Sequence, residues 1–272
     1  MPKRSLDVVT ARPTERALDV LELLAESATG TSVSEVAERM HCHRSTASRL
    51  LATLAERGYV ERRADGRYGL GLRILTLAHR ALDSMEIRRR AKPYLQYLVK
   101  VSEETVNIAV LDGLEIVYID RLMGTQPISL RTPVGARAPA HCTAIGKVLL
   151  AELPEEEARR RLSSRVLTPF TAYTVTNVED LMRQLSTVRA QGYALNDREH
   201  REDSRCIAAP VRDYTGKGIA AISITAPVFR MSEERINELV PYLKAAAQNL
   251  SRDLGYAVAG DSVAGLAVRD DP

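Results

Sequence analysis

Apolar residues recur at positions 17, 18, 20, 21 and 24 of the stretch TERALDVLELLA, with Pro13 just ahead, and this spacing predicts a first helix over residues 14–25. Ser32 and Glu35 form an S-x-x-E capping box, and Val33, Val36, Ala37 and Met40 follow at helical intervals, predicting a second helix. A third is predicted from about His43 to Arg57, its apolar stripe made by Ala47, Leu50, Leu51 and Leu54. The opposite side of that helix carries Ser45 and Arg49, flanked by Ser48 and Ala52, with Arg44 near its start. This side is short-chained, hydroxylated and basic toward the N-terminal end, the end that a reading helix inserts into a DNA major groove.

After Gly58 the period changes. YVERRADGRYGLG alternates imperfectly around Asp65-Gly66, which predicts a type I′ hairpin with Arg62, Arg63 and Arg67 on its tip and arms. Three helices followed by a basic hairpin is the order of a winged helix-turn-helix. Gly66, Gly69 and Gly71 do not fit G-x-G-x-x-G, so no dinucleotide loop is indicated. Residues 72–86 carry another helical stripe at 74, 75, 78, 81, 82 and 85, a linker helix whose pattern does not separate core from dimer contact.

From about Ile87 the texture is mixed. A helix over about 88–103 precedes strands TVNIAVL and EIVYIDRL around Asp112-Gly113, then a strand PISLRT, a Pro/Gly loop, and a helix beginning near AHCTAIGKVLLA. NVEDLMRQLSTVRAQ reads as a helix closed by Gly192, SRCIAAPVRD and KGIAAISITAP as strands, and SEERINELVPYLKAAAQNLSRDLG as a long helix that Pro241 should kink or break. Strands gathered between helices predict an α+β domain with a largely antiparallel sheet. Residues 256–272 are small and capless and are expected to be disordered, and the arm 1–11 to be flexible.

Composition narrows the classes. The length suits two domains, and with neither an eighteen-residue apolar run nor an apolar signal-peptide core in MPKRSLDVVT, a cytoplasmic protein is expected. Residues 1–80 hold 13 Lys/Arg against 10 Asp/Glu and residues 81–272 hold 25 against 25, so the whole formal charge of +3 falls in the N-terminal third. That is weak support for a polyanionic partner. Cys42, Cys142 and Cys206 are too widely spaced for a structural zinc or a redox pair.

In this order, ERALDVLELLA, SEVAERMHCHRSTASRLLATLAERGYV, PVGARAPAHCTAIGKVLLA and GYALNDREHREDSRCIAAPVRDYTG resemble the IclR family of bacterial transcription regulators. The last segment is the most specific, because Gly192, Glu199, Cys206, Ala208, Pro210 and Asp213 fall at the family's spacing. The resemblance implies a winged helix-turn-helix over 12–71, a linker helix over 72–86 and a GAF-like effector domain over 87–255. It further implies operator DNA and a small organic effector, commonly an acid, as partners, homodimers or homotetramers, no cofactor, and either repression or activation.

The expected DNA-binding residues are Arg44, Ser45, Thr46, Ser48 and Arg49, with Arg62, Arg63 and Arg67 on the wing. The small residues Ala140, His141, Cys142, Thr143 and Ala144 enter a helix whose first N–H groups can seat an anion, and Ser223 and Thr225 share one face of a strand. By the resemblance, Leu130, Ala144, Ile145, Asn196, Cys206, Ser223 and Thr225 are effector-binding positions. Two departures stand out: Asn196 replaces an acidic residue of some members, and Ile145 is bulkier than the small residue sometimes found there. Neutral amides or esters therefore stay open as effectors beside acids. A thiol hydrolase using Cys206 or Cys142 with His141 or His200 is the alternative, though no G-x-S-x-G, Walker A or H-E-x-x-H pattern accompanies it. The irregular spacing of His141, His200 and Cys206 argues against a metal site.

Overall fold

A computed structural model of the protein describes residues 12–128 and 132–257, and the chain divides into two compact units after Ser84. Leu130, the arm 1–11 and the tail beyond residue 257 lie outside the described residues.

The first unit runs α1 (Arg12–Ala25), α2 (Val33–Arg39), α3 (Arg44–Glu56), β1 (Val60–Arg62), β2 (Tyr68–Leu70) and α4 (Arg73–Asp83). Val20, Leu24, Val36, Ala47, Leu51, Leu54 and Val60 make its core, so the stripes of the first three helices meet one another. The capping box of α2 is formed reciprocally, Glu35 N–H donating to Ser32 Oγ at 3.2 Å and Ser32 N–H to Glu35 Oε2 at 2.6 Å.

The hairpin is not the type I′ turn expected. Of Asp65 and Gly66 only Gly66 has positive φ (82°), Gly66 N–H donates to the Arg63 carbonyl at 3.0 Å, and Arg63 N–H to the Arg67 carbonyl at 2.8 Å. The loop therefore has three residues, a type I turn closed by a glycine bulge, because Asp65 Oδ1 accepts the Arg67 N–H (3.0 Å) and Asp65 keeps negative φ. No residue of α4 is buried, and Leu75 and Leu77 are 65% and 48% exposed.

The second unit runs α5 (Glu86–Ser102), β3 (Thr105–Asp112), β4 (Glu115–Leu122), β5 (Arg137–Pro139), α6 (Ala144–Ala151), α7 (Glu155–Ser163), α8 (Val178–Gln191), β6 (Ala194–Asp197), β7 (Ser204–Arg212), β8 (Gly218–Pro227) and α9 (Glu233–Asp253). Its sheet has the order β5-β4-β3-β8-β7-β6, every pair antiparallel. Alternation along β8 sends Ile222 and Ile224 into a core with Leu95, Leu98, Leu239 and Leu243 of α5 and α9. Ala221 turns to the other side, where Ile145, Leu149, Leu181 and Leu185 of α6 and α8 pack. The sheet is thus sandwiched between two helical layers.

Two expectations change, and one further helix appears. PISLRT forms no strand at its described residues 127, 128 and 132; the edge strand is Arg137–Pro139, pairing Val117 with Arg137 and Glu115 with Pro139. A proline is tolerated at such an edge. Helix α9 is not broken at Pro241: the helix continues through this exposed proline, with Leu239 and Leu243 on either side of it packed in the core against the sheet. Helix α7 was not singled out by periodicity, although Glu155–Glu157 in its first turn and Arg160 and Arg161 in its last complement the helix dipole.

Candidate functional site

In the first unit, the side of α3 away from the core carries Arg44, Ser45, Ser48 and Arg49 exposed and Thr46 half-buried. His43 caps the helix, its Nδ1 accepting the Ser45 N–H at 3.3 Å and lying 2.8 Å from Ser45 Oγ. Arg16 of α1 lines one groove with Thr46, Arg49 and Thr53, a neighbour that a single-helix pattern does not reveal.

The three wing arginines differ. Arg62 is exposed on β1, its guanidinium 6.0 Å from the Tyr68 ring. Arg67 grips Glu35 with both carboxylate oxygens (3.0 and 2.9 Å) and donates to the Gly30 carbonyl at 3.0 Å. Arg63 donates to the Ala28 carbonyl at 3.2 Å and lies over Gly69, where a Cβ would stand 2.9 Å from its guanidinium. Arg63 and Arg67 therefore bind the hairpin to the α1–α2 turn, and Arg62 has no carboxylate partner among the described residues.

In the second unit, a cavity of about 50 Å³ opens on the α6 side of the sheet. Ala144 and Ile145 of α6, Asn196 of β6, Cys206 of β7, and Ser223 and Thr225 of β8 all line it, so the six described effector positions converge from four elements. Tyr118, Thr143, His200, Arg201 and Ser204 complete much of the wall. Tyr118 arrives because a bulge at Ile108/Ala109 shifts the register, so that Tyr118 faces Ala109 while Arg121 faces Asn107.

Local bonds fix what the cavity offers. Thr143 caps α6, accepting the Gly146 N–H (3.2 Å) while donating to the Pro139 carbonyl (2.9 Å). The N–H groups of Ala144 and Ile145, in the first turn, have no partner among the described residues. Gly146 makes the entry possible: a Cβ there would stand 2.2 Å from the Ala140 carbonyl oxygen. Asn196 Oδ1 accepts the Glu199 N–H at 2.9 Å, leaving its NH2 as the group turned to the cavity. Asn107 Nδ2 donates to Ser223 Oγ (3.4 Å) and Thr225 Oγ1 (3.3 Å), so the Ser223 hydroxyl keeps its proton to give, while Thr225 directs its own toward Cys206. The one charged lining residue described, Arg201, is paired through two bonds to Asp203 (3.0 and 2.9 Å). The site is neutral and rich in donors.

Behind it lies a buried ion pair, Lys147 Nζ to Glu199 Oε1 at 2.5 Å, whose side chains are 3% and 8% exposed. Burial pushes the Glu199 carboxyl up, against the pull of Lys147. Burial likewise pushes the Cys142 thiol up to about 12 and Cys206 up to about 11, the latter despite a hydrogen bond from Thr225. A nucleophilic cysteine requires the opposite shift. Among the described residues no three His, Cys, Asp or Glu side chains are grouped to hold a metal ion, and no helix is long and apolar enough to cross a membrane.

The family model described as IclR helix-turn-helix domain matches residues 13–64, and that of the bacterial transcriptional regulator IclR C-terminal domain matches 79–252. The regulator XynR of Escherichia coli (strain K12) is 36% identical over 243 residues, covering 89% of this chain and 96% of that protein. A transcriptional regulator from Rhodococcus sp. RHA1 superposes with a TM-score of 0.79 at 32% identity, covering 89% and 98% of the two chains. An IclR homologue from Microbacterium hydrocarbonoxydans, solved with 4-hydroxybenzoate, does so with a TM-score of 0.77 at 29% identity, covering 89% and 98%.

Proposed function

The chain belongs to the IclR family of bacterial transcriptional regulators, with a helix-turn-helix DNA-binding domain and a C-terminal effector-binding domain, and from that premise we propose which residues meet each partner. Arg44, Ser45, Thr46, Ser48 and Arg49 enter the major groove, arginine to guanine edges or phosphate and the hydroxyls to phosphate or adaptable base contacts. Arg62 supplies the wing's free cation to the DNA backbone, while Arg63 and Arg67, held within the domain, add only the donors their internal bonds leave over.

The effector is a small acid. Its carboxylate accepts from the N–H groups of Ala144 and Ile145 at the positive end of α6, with the Asn196 NH2 and the Ser223 and Thr225 hydroxyls around it. The observation that carries this is the pair of unpartnered N–H groups that open α6, beside which Asn196, its Oδ1 already accepting from the Glu199 N–H, offers its NH2; such a set of donors suits a carboxylate better than an amide or ester. The small volume favours compact acids; a ring needs the walls to part. Both lining and neighbouring thiols stay protonated, so the site holds its ligand without transforming it.

The protein acts in the cytoplasm as a homodimer or a dimer of dimers, the uncovered leucines of α4 giving a surface for self-association. Effector binding shifts the spacing of two recognition helices and so their fit to paired half-sites. Calorimetric titration with small carboxylic acids and their matching amides tests the effector reading: the acids bind and the amides bind more weakly. Amides binding as tightly as acids would overturn it.

A further inference from the structure

His200 lines the cavity, yet the binding scheme above gives it no task. It is half-buried, and neither of its ring nitrogens has a hydrogen-bond partner among the described residues. Neither nitrogen is sealed from water, unlike Oε2 of Glu199, the residue before it, which is buried and unpaired. The ring is positioned through carbon contacts and through its backbone. Phe170 meets it in a T-shaped contact with centroids 5.3 Å apart, and Phe170 in turn lies 6.1 Å from the His141 ring. The turn that carries His200 is pinned from the α7–α8 loop, Thr171 Oγ1 donating to the Arg198 carbonyl at 2.8 Å and Thr174 Oγ1 to the Glu199 carbonyl at 2.6 Å. The imidazole is thus fixed without spending either nitrogen, and its hydrogen bonds are left to whatever fills the cavity.

The charges around the ring are already matched. Arg201, next in the chain, is bonded twice to Asp203; Arg198 is paired with Asp197, and Lys147 on α6 with Glu199. Burial pushes the Tyr118 hydroxyl and the Cys206 thiol of the cavity wall up, so both stay protonated, and it pushes the His141 imidazole ahead of α6 down, so that ring is neutral. Burial, then Arg201 and His141, hold His200 below its ordinary range as well, and it is neutral at pH 7 before a ligand arrives. A neutral imidazole offers one N–H and turns a lone pair outward at the other nitrogen, whereas the imidazolium offers two donors and a full charge. His200 is therefore the one described wall residue that can gain a positive charge, and a carboxylate nearby favours that form.

We infer that His200 is an effector contact that takes up one proton from solvent as a small acid binds and meets the acid's carboxylate as an imidazolium. This rests on the acid-site reading and adds to it a residue and a coupled proton. The ring then reads charge: an amide draws no proton onto it and forgoes that contribution. The sign follows from linkage, because the complex holds a proton that the free protein lacks. Affinity is highest where the free ring is itself protonated and is lost as pH rises above that range.

The test is calorimetric titration of the full-length protein with acetate, propionate, lactate and benzoate, and with propionamide and benzamide, at pH 6.5, 7.5 and 8.5. These acids stay ionised throughout, so a change with pH belongs to the protein. At pH 7.5 each titration is run in phosphate and in Tris, whose ionisation heats differ, and the difference in binding heat counts the protons taken up. For an acid that binds, affinity falls by about tenfold or more from pH 6.5 to 8.5, with uptake of roughly half a proton to one proton at pH 7.5. An amide that binds does so without uptake. In His200→Gln the acids bind with no uptake and with a flat pH profile. His200→Phe keeps an aromatic ring against Phe170 and carries the test if the glutamine variant does not fold. Acids that bind the wild-type chain without taking up a proton, or uptake that persists in the folded variant, overturn the inference and leave the acid site standing. Failure of all four acids to bind removes the acid-site reading and this inference with it.

Discussion

The backbone N–H of Glu199 donates to Asn196 Oδ1 at 2.9 Å, and this bond decides which end of the Asn196 amide meets the cavity. Asn196→Asp keeps an acceptor for Glu199 but replaces the NH2 with a carboxylate oxygen. The expected result is a folded protein whose affinity for small acids falls by about tenfold or more, since a lost hydrogen bond to a charged group and a new like charge act together. Calorimetric titration alongside the wild type measures it; equal affinity would mean that the amide does not face the ligand.

Lys147 and Glu199 lie 52 residues apart in sequence and form the buried pair behind the cavity. Removing one partner strands a charge, so Lys147→Met is expected to cost about 3–5 kcal/mol of stability, whereas Lys147→Met with Glu199→Leu costs much less than the two single changes added. Urea denaturation of the three variants checks this. Additive costs would show that the two groups are not coupled.

On the wing, Arg62 and Arg67 should separate cleanly. Arg62→Ala leaves Tm unchanged and lowers the dependence of log K on log salt by about one unit of slope, one phosphate contact being lost. Arg67→Ala lowers Tm, because it frees Glu35 and the Gly30 carbonyl from the hairpin. Thermal melts and salt titrations on the same DNA discriminate them, and the reverse pattern would contradict the division of roles.

Burial pushes the imidazoles of His141 and His200 below their ordinary range; Lys147 adds to this at His141, and Arg201 and His141 add to it at His200, while a hydrogen bond to the Thr168 carbonyl opposes it at His141. Their folded values lie below the unfolded value of about 6.5. The unfolded chain therefore binds the extra protons first, and the stability these groups contribute is full above that value and is lost as pH falls through the folded ones. Melting followed from pH 7.5 to 5.0 should show Tm falling with acid, and the double variant His141→Gln, His200→Gln should flatten the curve. A slope unaltered in that variant would assign the acid sensitivity elsewhere.

Much of this was legible in the chain because it is local. The stripe Ala47, Leu50, Leu51 and Leu54 announces α3, Ser32 and Glu35 announce α2, and the alternation of Ser223 and Thr225 with isoleucines announces a two-sided strand. The convergence of Ala144, Ile145, Asn196, Cys206, Ser223 and Thr225 came from resemblance, since no periodicity brings four elements together. What stayed hidden depends on pairing between distant strands: the bulge that turns Tyr118 inward, the Asn107 amide beside Ser223, and the Lys147–Glu199 pair. The opposed roles of Arg62 and Arg67 were equally invisible, because a carboxylate 32 residues away decides them.

The most direct measurement of the central claim is a fluorescence-anisotropy titration of the full-length protein on a duplex from upstream of its own gene and on a scrambled duplex of equal length, across a salt series, with wild type and Arg49→Ala. The account predicts that the wild type prefers the upstream duplex, that affinity falls steeply with salt, and that folded Arg49→Ala loses the preference. Equal affinity for both duplexes at every salt concentration, or an Arg49→Ala variant indistinguishable from wild type, would contradict it.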